Sequence, residues 1–354
     1  MPARISTLDV PWDYFGESWR IRYSDMRPWS LLDETTGKKG LVMPCCGHTG
    51  VADWHLANIR AIFEKYPLLK GLYFDLCAVV ACGNTLHGDG GVDAFGKRYL
   101  TSTAMHLRDY FLRVTKLCRQ YGRIFHVHNH NIYIPFVHGF ADACWPGEEQ
   151  YYGFIGNPRN HYIEGVAEEE YQSAWNPEIQ GMGVLMIPQP ARAKSLKPEL
   201  VAKDPDAFFG RRSISGQILP ALLHGFEVKG TLGEGHPLLR EVWAALRPLN
   251  MEKARFHGYW YDSLAKSAAA TIRVSGYTWE DGSFLLIVGN VGRDDVPVGT
   301  ALDWSRLGGV PVRLTELLSG RQYDESSLAA HVLPSHAFML LRWTAPGGDA
   351  KAKP

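Results

Sequence analysis

Hydrophobic residues recur along this chain with two different periods. Between residues 53 and 66, Leu56, Ile59, Phe63 and Tyr66 keep three-and-four spacing, which predicts a helix. Leu107, Tyr110, Phe111, Val114, Leu117 and Cys118 mark one face of a longer helix that Gly122 stops. Short apolar runs at 41–43, 71–74, 123–128, 137–143, 184–187 and 226–228 read as strands. Helical stretches around 164–175, 214–224 and 238–246 alternate with them, the last stopped by Pro248. Strand and helix in alternation predict a parallel sheet closed into a TIM-type (β/α)8 barrel. These runs supply six strands before residue 250, two short of a closed barrel. Either residues 1–40 hide two poorly patterned strands, or the barrel is incomplete at the N-terminus because the chain is the C-terminal part of a longer protein.

From about residue 253 the texture changes. Runs at 270–277, 283–289, 310–315 and 336–343 are strand-like, Asp281-Gly282 is a hairpin signal, and helical periodicity is absent. The expected organisation is a glycosidase-like α/β barrel over 1–250, an antiparallel β-sandwich over 251–346 and a disordered tail over 347–354.

Composition narrows the function. Lys+Arg and Asp+Glu both number 37, giving a formal net charge of zero, and no long basic run occurs. Nucleic acid and anionic membrane are therefore not the expected partners. No apolar run reaches membrane-spanning length and the first residues lack the pattern of a signal peptide, so a cytoplasmic location is favoured. The six cysteines include no CxxC pair, which suggests free, buried thiols, and no metal or cofactor is expected. A homo-oligomer is compatible with all of this. Aromatic residues, at 12%, suit a sugar-facing surface as well as a core.

Asp75 closes the aromatic run Gly71-Leu72-Tyr73-Phe74, and a long Gly- and Cys-containing loop follows. A carboxylate at the C-terminal end of a barrel strand is where that fold places its chemistry. Counting strands back from the sandwich puts Asp75 at the end of the fourth, with Asp142 and the Gly147-Glu148-Glu149 loop after the sixth. Two carboxyls on opposite sides of a sugar are what glycoside hydrolysis requires. The bland alternative is that Asp75 caps a helix or pairs with an arginine. His126, His128 and His130 alternate on one face of an extended run and offer a metal-dependent hydrolase instead. The segment 91–98 nearly matches a P-loop, but Arg98 stands where a Ser or Thr must bind magnesium. No GxSxG elbow is present, and Glu168-Glu169-Glu170 reads as a solvated helix face.

Gly71-Leu72-Tyr73-Phe74-Asp75, Cys82, Asn84, His87-Gly88, Asp93, Gly96, Thr101 and Arg108, continued by His130, Pro135, Phe140-Ala141-Asp142 and Gly147-Glu148, resemble the barrel of a glycosidase-like family. That family is related to glycoside hydrolase family 123, the β-N-acetylgalactosaminidases, and the resemblance spans roughly residues 40–230. It implies a (β/α)8 catalytic domain followed by a β-sandwich and acting on glycans. Family 123 enzymes carry an adjacent Asp-Glu pair after a barrel strand and use the substrate acetamido group as nucleophile. Here the matching position is Asp75-Leu76, without the glutamate.

The resulting expectation is a glycoside hydrolase with a carbohydrate substrate. Asp75 is its nucleophile or transition-state stabiliser and Glu148 its acid/base, with Asp142 as substitute. His48, Tyr73, Asn84, His87, His128, His130 and Glu149 are the substrate-binding candidates. The alternatives are the metal-dependent hydrolase with His126, His128 and His130, and a glycan-binding barrel without turnover.

Overall fold

The structure, a computed structural model, describes residues 15, 17–23, 44–75, 77–128, 133–229, 236–303, 306–307 and 313–345. Two compact units divide the chain, residues 1–145 and 146–354. The boundary expected at residue 250 falls inside the second unit. The strand expected at 41–43, His130 and the tail from 347 lie outside the described residues.

The first unit opens with α1, Thr49–Lys65, capped by His48, whose Nδ1 accepts from the backbone N–H of Gly50 at 3.0 Å. Its inward face carries Val51, Ala52, Ile59 and Phe63; Tyr66, expected on that face, is the exposed C-cap. Strand β1, Gly71–Phe74, follows as expected. The glycine-rich stretch after it, expected to be a loop, folds into three short antiparallel strands in the order β2 (Ala81–Cys82), β4 (Arg98–Ser102), β3 (Gly90–Val92). The P-loop look-alike is the β3–β4 turn: the Asp93 carboxylate accepts from the N–H groups of Phe95 and Lys97, and Gly96 takes the left-handed conformation the turn requires.

Helix α2, Ala104–Gln120, buries the predicted stripe. Phe111 meets Phe125 edge-on at 5.2 Å, and Phe74 packs between Tyr110 and Phe125. Strand β5, Ile124–Val127, runs parallel to β1 with Tyr73 opposite His126 and Phe74 opposite Val127.

The strand expected at 137–143 is corrected. Pro135 starts a helical turn, α3 (Pro135–His138), and His138 locks it: Nδ1 accepts from the Ile134 N–H while Nε2 bonds the Cys77 carbonyl. Strand β6 is only Ala143–Cys144, parallel to β5.

The second unit begins with α4 (Tyr151–Gly156), then a π-helical turn at His161–Gly165 and α5 (Glu168–Ser173), which together replace the single helix expected over 164–175. Parallel strands β7 (Gly183–Met186) and β8 (Glu227–Val228) flank α6 (Arg211–His224), and α7 (Pro237–Leu246) follows. The described residues therefore supply five parallel strands, three in the first unit and two in the second, where a closed barrel has eight.

Beyond them lies an antiparallel sheet built on β9 (Ile272–Thr278), β10 (Phe284–Asn290) and β11 (Phe338–Trp343). Every residue of β10 is buried. Phe284, Leu286 and Val288 enter a core with Leu302, Leu314 and Leu341, whereas Gly289 on the other face lies so close to Leu219 of α6 that a Cβ there would collide with its Cδ1. Covered on both faces, the strand reads as a continuous apolar run rather than an alternating one. The Asp281-Gly282 turn joins β9 to β10 as predicted.

Candidate active site

In the first unit the parallel ladder continues one residue past the strands. His128 N–H donates to Phe74 O at 2.8 Å, and Trp145 N–H to Val127 O at 2.9 Å. Asp75, His128 and Trp145 thus occupy the next layer above Tyr73, His126 and Ala143. Because side chains alternate along a strand, Tyr73, Asp75, His126 and His128 share one face, opposite the Phe74 side on which α2 packs. On that face Trp145 lies 4.3 Å, centroid to centroid, from both Tyr73 and His126.

Two donors converge on one oxygen of Asp75. Tyr73 Oη donates to Oδ1 at 3.0 Å and His128 Nδ1 to the same atom at 2.8 Å. The His128 side chain is 1% exposed and that of Asp75 62%. A buried imidazole thus holds a carboxylate that faces solvent, beside an aromatic surface. Such an arrangement can bind a polyol ring by stacking and present an oriented carboxylate to it. Neither bond is the helix cap or the arginine pair weighed as the bland role for Asp75.

Asp142 does different work. It stands ahead of β6, not after it, and its Oδ2 accepts from Phe125 N–H at 2.8 Å while its own N–H donates to Phe125 O. Its carboxylate closes the start of the β5–β6 ladder.

Glu148 and Glu149 belong to the second unit. Glu148 accepts from Gln189 Nε2 at 2.7 Å and is ion-paired with Arg192, whose guanidinium also lies 4.6 Å over the Tyr151 ring. An acid at this position must release those bonds to reach a leaving oxygen. Oε2 of Glu149 is buried and makes no hydrogen bond to the described residues. Burial pushes the Glu170 carboxyl up, and the Glu149 charge adds to it. Glu170, expected on a solvated face, is half-buried, while Glu168 pairs with Arg273.

The remaining sequence candidates separate from Asp75's aromatic face. Asn84 is fully buried, its amide donating to Glu17 O at 2.9 Å and Arg20 O at 2.8 Å while its Oδ1 caps the turn at Leu86. It holds the loop rather than a sugar. His48 caps α1, and burial, with the neighbouring His87, lowers its pKa. His87 is drawn into a cluster with Cys45, Cys82 and Asp89, whose potential ligand atoms all lie within 4.8 Å of one another. Burial opposes charge on His87, but Asp89, Cys82 and the Ser18 carbonyl outweigh it and raise the imidazole to about 10. The bond between the two thiols lowers Cys82, with help from His87, and raises Cys45, which burial raises further.

Sequence reasoning missed Trp145, which lies one residue beyond a two-residue strand and carries no motif. It also missed the cluster, whose fourth member, Cys45, comes from a separate turn. All six cysteines are free, and five are buried, as expected. A cavity of about 420 Å³ opens between α1 and α2, lined by Asp53, Arg60 and Arg113 among others, and contains none of these groups.

No family model matches the sequence. No curated protein matches it either. Solved structures similar in fold include two α-amylases. One is a noncanonic maltogenic α-amylase, AmyB, from Thermotoga neapolitana, at 14% identity and a TM-score of 0.51, covering 96% of this chain and 75% of that one. The other is an α-amylase from Lactobacillus plantarum, at 13% identity and a TM-score of 0.50, covering 96% and 76%. At these identities the likeness is one of fold. No described helix is long and apolar enough to cross a membrane.

Proposed function

We propose that the protein is a glycoside hydrolase acting on a glycan or oligosaccharide. The carrying observation is the exposed Asp75 carboxylate at the C-terminal end of β1, held by His128 and Tyr73 beside the Trp145 ring. The similarity in fold to two α-amylases, themselves glycoside hydrolases, supports the same substrate class. Asp75 is assigned as nucleophile or as the group stabilising an oxocarbenium-like transition state. Glu148 is assigned as acid/base from its place after β6. Substrate-binding roles go to Tyr73, His128 and Trp145, with Glu149 as a further candidate. The alternation of strand and helix before residue 250 and the antiparallel sheet after it fit a barrel followed by a β-domain.

The metal-dependent alternative is less well supported. His126 packs edge-on against Trp145, and His128 is committed to Asp75. Neither belongs to the group of converging ligand atoms among the described residues.

The test is turnover of a panel of aryl α- and β-glycosides by the wild-type protein and by Asp75→Asn. Activity in the wild type, lost by ~10³-fold or more in the variant at unchanged fold, supports the assignment. Equal activity in both removes Asp75 from the chemistry. Binding of glycans without turnover by either would favour the glycan-binding reading.

A further inference from the structure

The cluster beneath the loop after β2 does not depend on the reading of Asp75. Two segments distant in sequence meet there, one at Cys45 and one at 82–89. Cys45 comes from the turn before α1; Cys82 ends β2; His87 and Asp89 follow on the helical turn at Thr85–His87 and beyond it. Cys45 and Cys82 are 0% exposed, Asp89 4%, and the His87 side chain 2%. Cys45 Sγ lies 3.0 Å from Asp89 Oδ2, Cys82 Sγ 3.4 Å from His87 Nε2, and that same nitrogen 3.2 Å from Asp89 Oδ2.

Two other chemistries use these residue types, and the geometry fits neither. In a catalytic triad the carboxylate and the nucleophile bond opposite nitrogens of the imidazole. Here Sγ and the carboxylate oxygen both address Nε2, while Nδ1 bonds the Ser18 carbonyl. A nucleophile also needs access, and Cys82 has none. A disulfide between Cys45 and Cys82 would leave His87 and Asp89 facing each other in a buried pocket with no group to serve.

We propose that Cys45 Sγ, Cys82 Sγ, His87 Nε2 and an Asp89 carboxylate oxygen form a structural zinc site. A tetrahedral zinc with bonds of about 2.0–2.3 Å sets its ligand atoms roughly 3.3–3.8 Å apart, near the spacings found here. Two thiolates, an imidazole and a carboxylate are a donor set that favours zinc over calcium or magnesium. With four protein ligands and no exposed one, the site is closed, as structural zinc sites are.

The groups around it are those that orient metal ligands. The Ser18 carbonyl accepts the Nδ1–H of His87 and so turns the Nε2 lone pair inward. Asp89 Oδ1, the oxygen away from the cluster, lies 3.1 Å from His106 Nε2 on α2. Gly47 keeps the approach open: a Cβ there would fall 2.7 Å from Asp89 Oδ2.

The site would staple segment 17–23 to the turn at Cys45 and the loop at 82–89. Backbone bonds follow the same path, from Cys45 N to Trp19 O and from Gly83 N to Arg22 O.

The experiment uses the full chain, purified without added chelator. Elemental analysis is expected to find one zinc per chain. After chelation, Co²⁺ alone is added back. Sulfur-to-cobalt charge-transfer bands together with tetrahedral visible bands are expected, saturating at one cobalt per chain. Alkylation mapping is expected to show Cys45 and Cys82 protected with metal and reactive without it. Asp89→Asn, which keeps both thiols, should weaken metal affinity at least 10-fold, and His106→Ala should weaken it 10- to 100-fold. Should Cys82→Ser fail to fold, the cobalt spectrum of the wild type still decides. Metal-free protein that gives no thiolate–cobalt bands, or a Cys45–Cys82 disulfide found by mass spectrometry, overturns the proposal.

Discussion

Nδ1 of His128 stands 2.8 Å from Oδ1 of Asp75, and the hydroxyl of Tyr73 donates to the same oxygen at 3.0 Å. Both donors come from parallel neighbouring strands whose register fixes them in adjacent layers. Under the glycosidase assignment they act on the reaction through Asp75. His128→Phe should lower kcat ~10²-fold and Tyr73→Phe ~10-fold, with KM changed less than kcat in each. Because both donors serve one atom, the double variant should lose less than the product of the single losses. Multiplicative losses in steady-state kinetics would show that the two residues act independently.

Trp145 offers a ring to the same face, 4.3 Å from both Tyr73 and His126. Aromatic contacts of this kind are worth about 0.5–1.5 kcal/mol beyond the area they bury. Trp145→Ala is therefore expected to raise KM for a glycoside by about 10-fold while kcat falls less. A loss confined to kcat would mean that the ring orients the acid residues rather than the sugar.

Asp142 separates a structural role from a chemical one. Its carboxylate accepts the Phe125 N–H, and removing an acceptor from a half-buried main-chain donor costs about 1–3 kcal/mol. Asp142→Ala should lower the urea midpoint accordingly, while activity per folded molecule stays near that of the wild type. Asp142→Asn, which keeps an acceptor oxygen, should be milder. Loss of turnover in Asp142→Asn at full stability would return the residue to the list of acids.

The sequence made the long elements legible. The stripe from Leu107 to Cys118 and the aromatic strand ending at Asp75 are where the pattern placed them, because apolar spacing is a direct imprint of burial. It misled where few residues form an element. Val137 is apolar and buried within a helical turn that Pro135 starts and His138 locks, and a two-residue strand such as β6 has no period to read. At the site the polarity of His128 and Asp75 is readable, whereas nothing in the sequence shows that Asn84 and His87 are taken up by main-chain carbonyls. Polar side chains consumed by main-chain carbonyls look the same in sequence as those offered to a substrate. The Cys45, Cys82, His87 and Asp89 cluster escapes because Cys45 is joined to the other three by folding rather than by spacing.

His224, at the end of α6, provides a test of stability against pH. Its ring is buried among Trp260, Tyr259 and Tyr171, with Nδ1 donating to the Pro220 carbonyl. Burial, with help from the Arg273 charge, lowers its pKa from 6.5 to about 4 against the raising effect of that carbonyl. The folded state therefore binds the proton less readily than the unfolded chain. Between pH 6.5 and 4 the unfolded state holds more protons, so stability falls as the pH drops through this window and levels off below it. The shift corresponds to a loss on the order of 3 kcal/mol by pH 4. His55, lowered to about 4 by burial in the first unit, adds a contribution of the same sign. His224→Gln cannot take up the proton. Its urea midpoint should start lower at pH 7, because the buried ring is lost, and should then fall less steeply than that of the wild type between pH 7 and 5. Parallel slopes for the two proteins would show that His224 protonates as easily in the folded state as in the unfolded one, contrary to its burial.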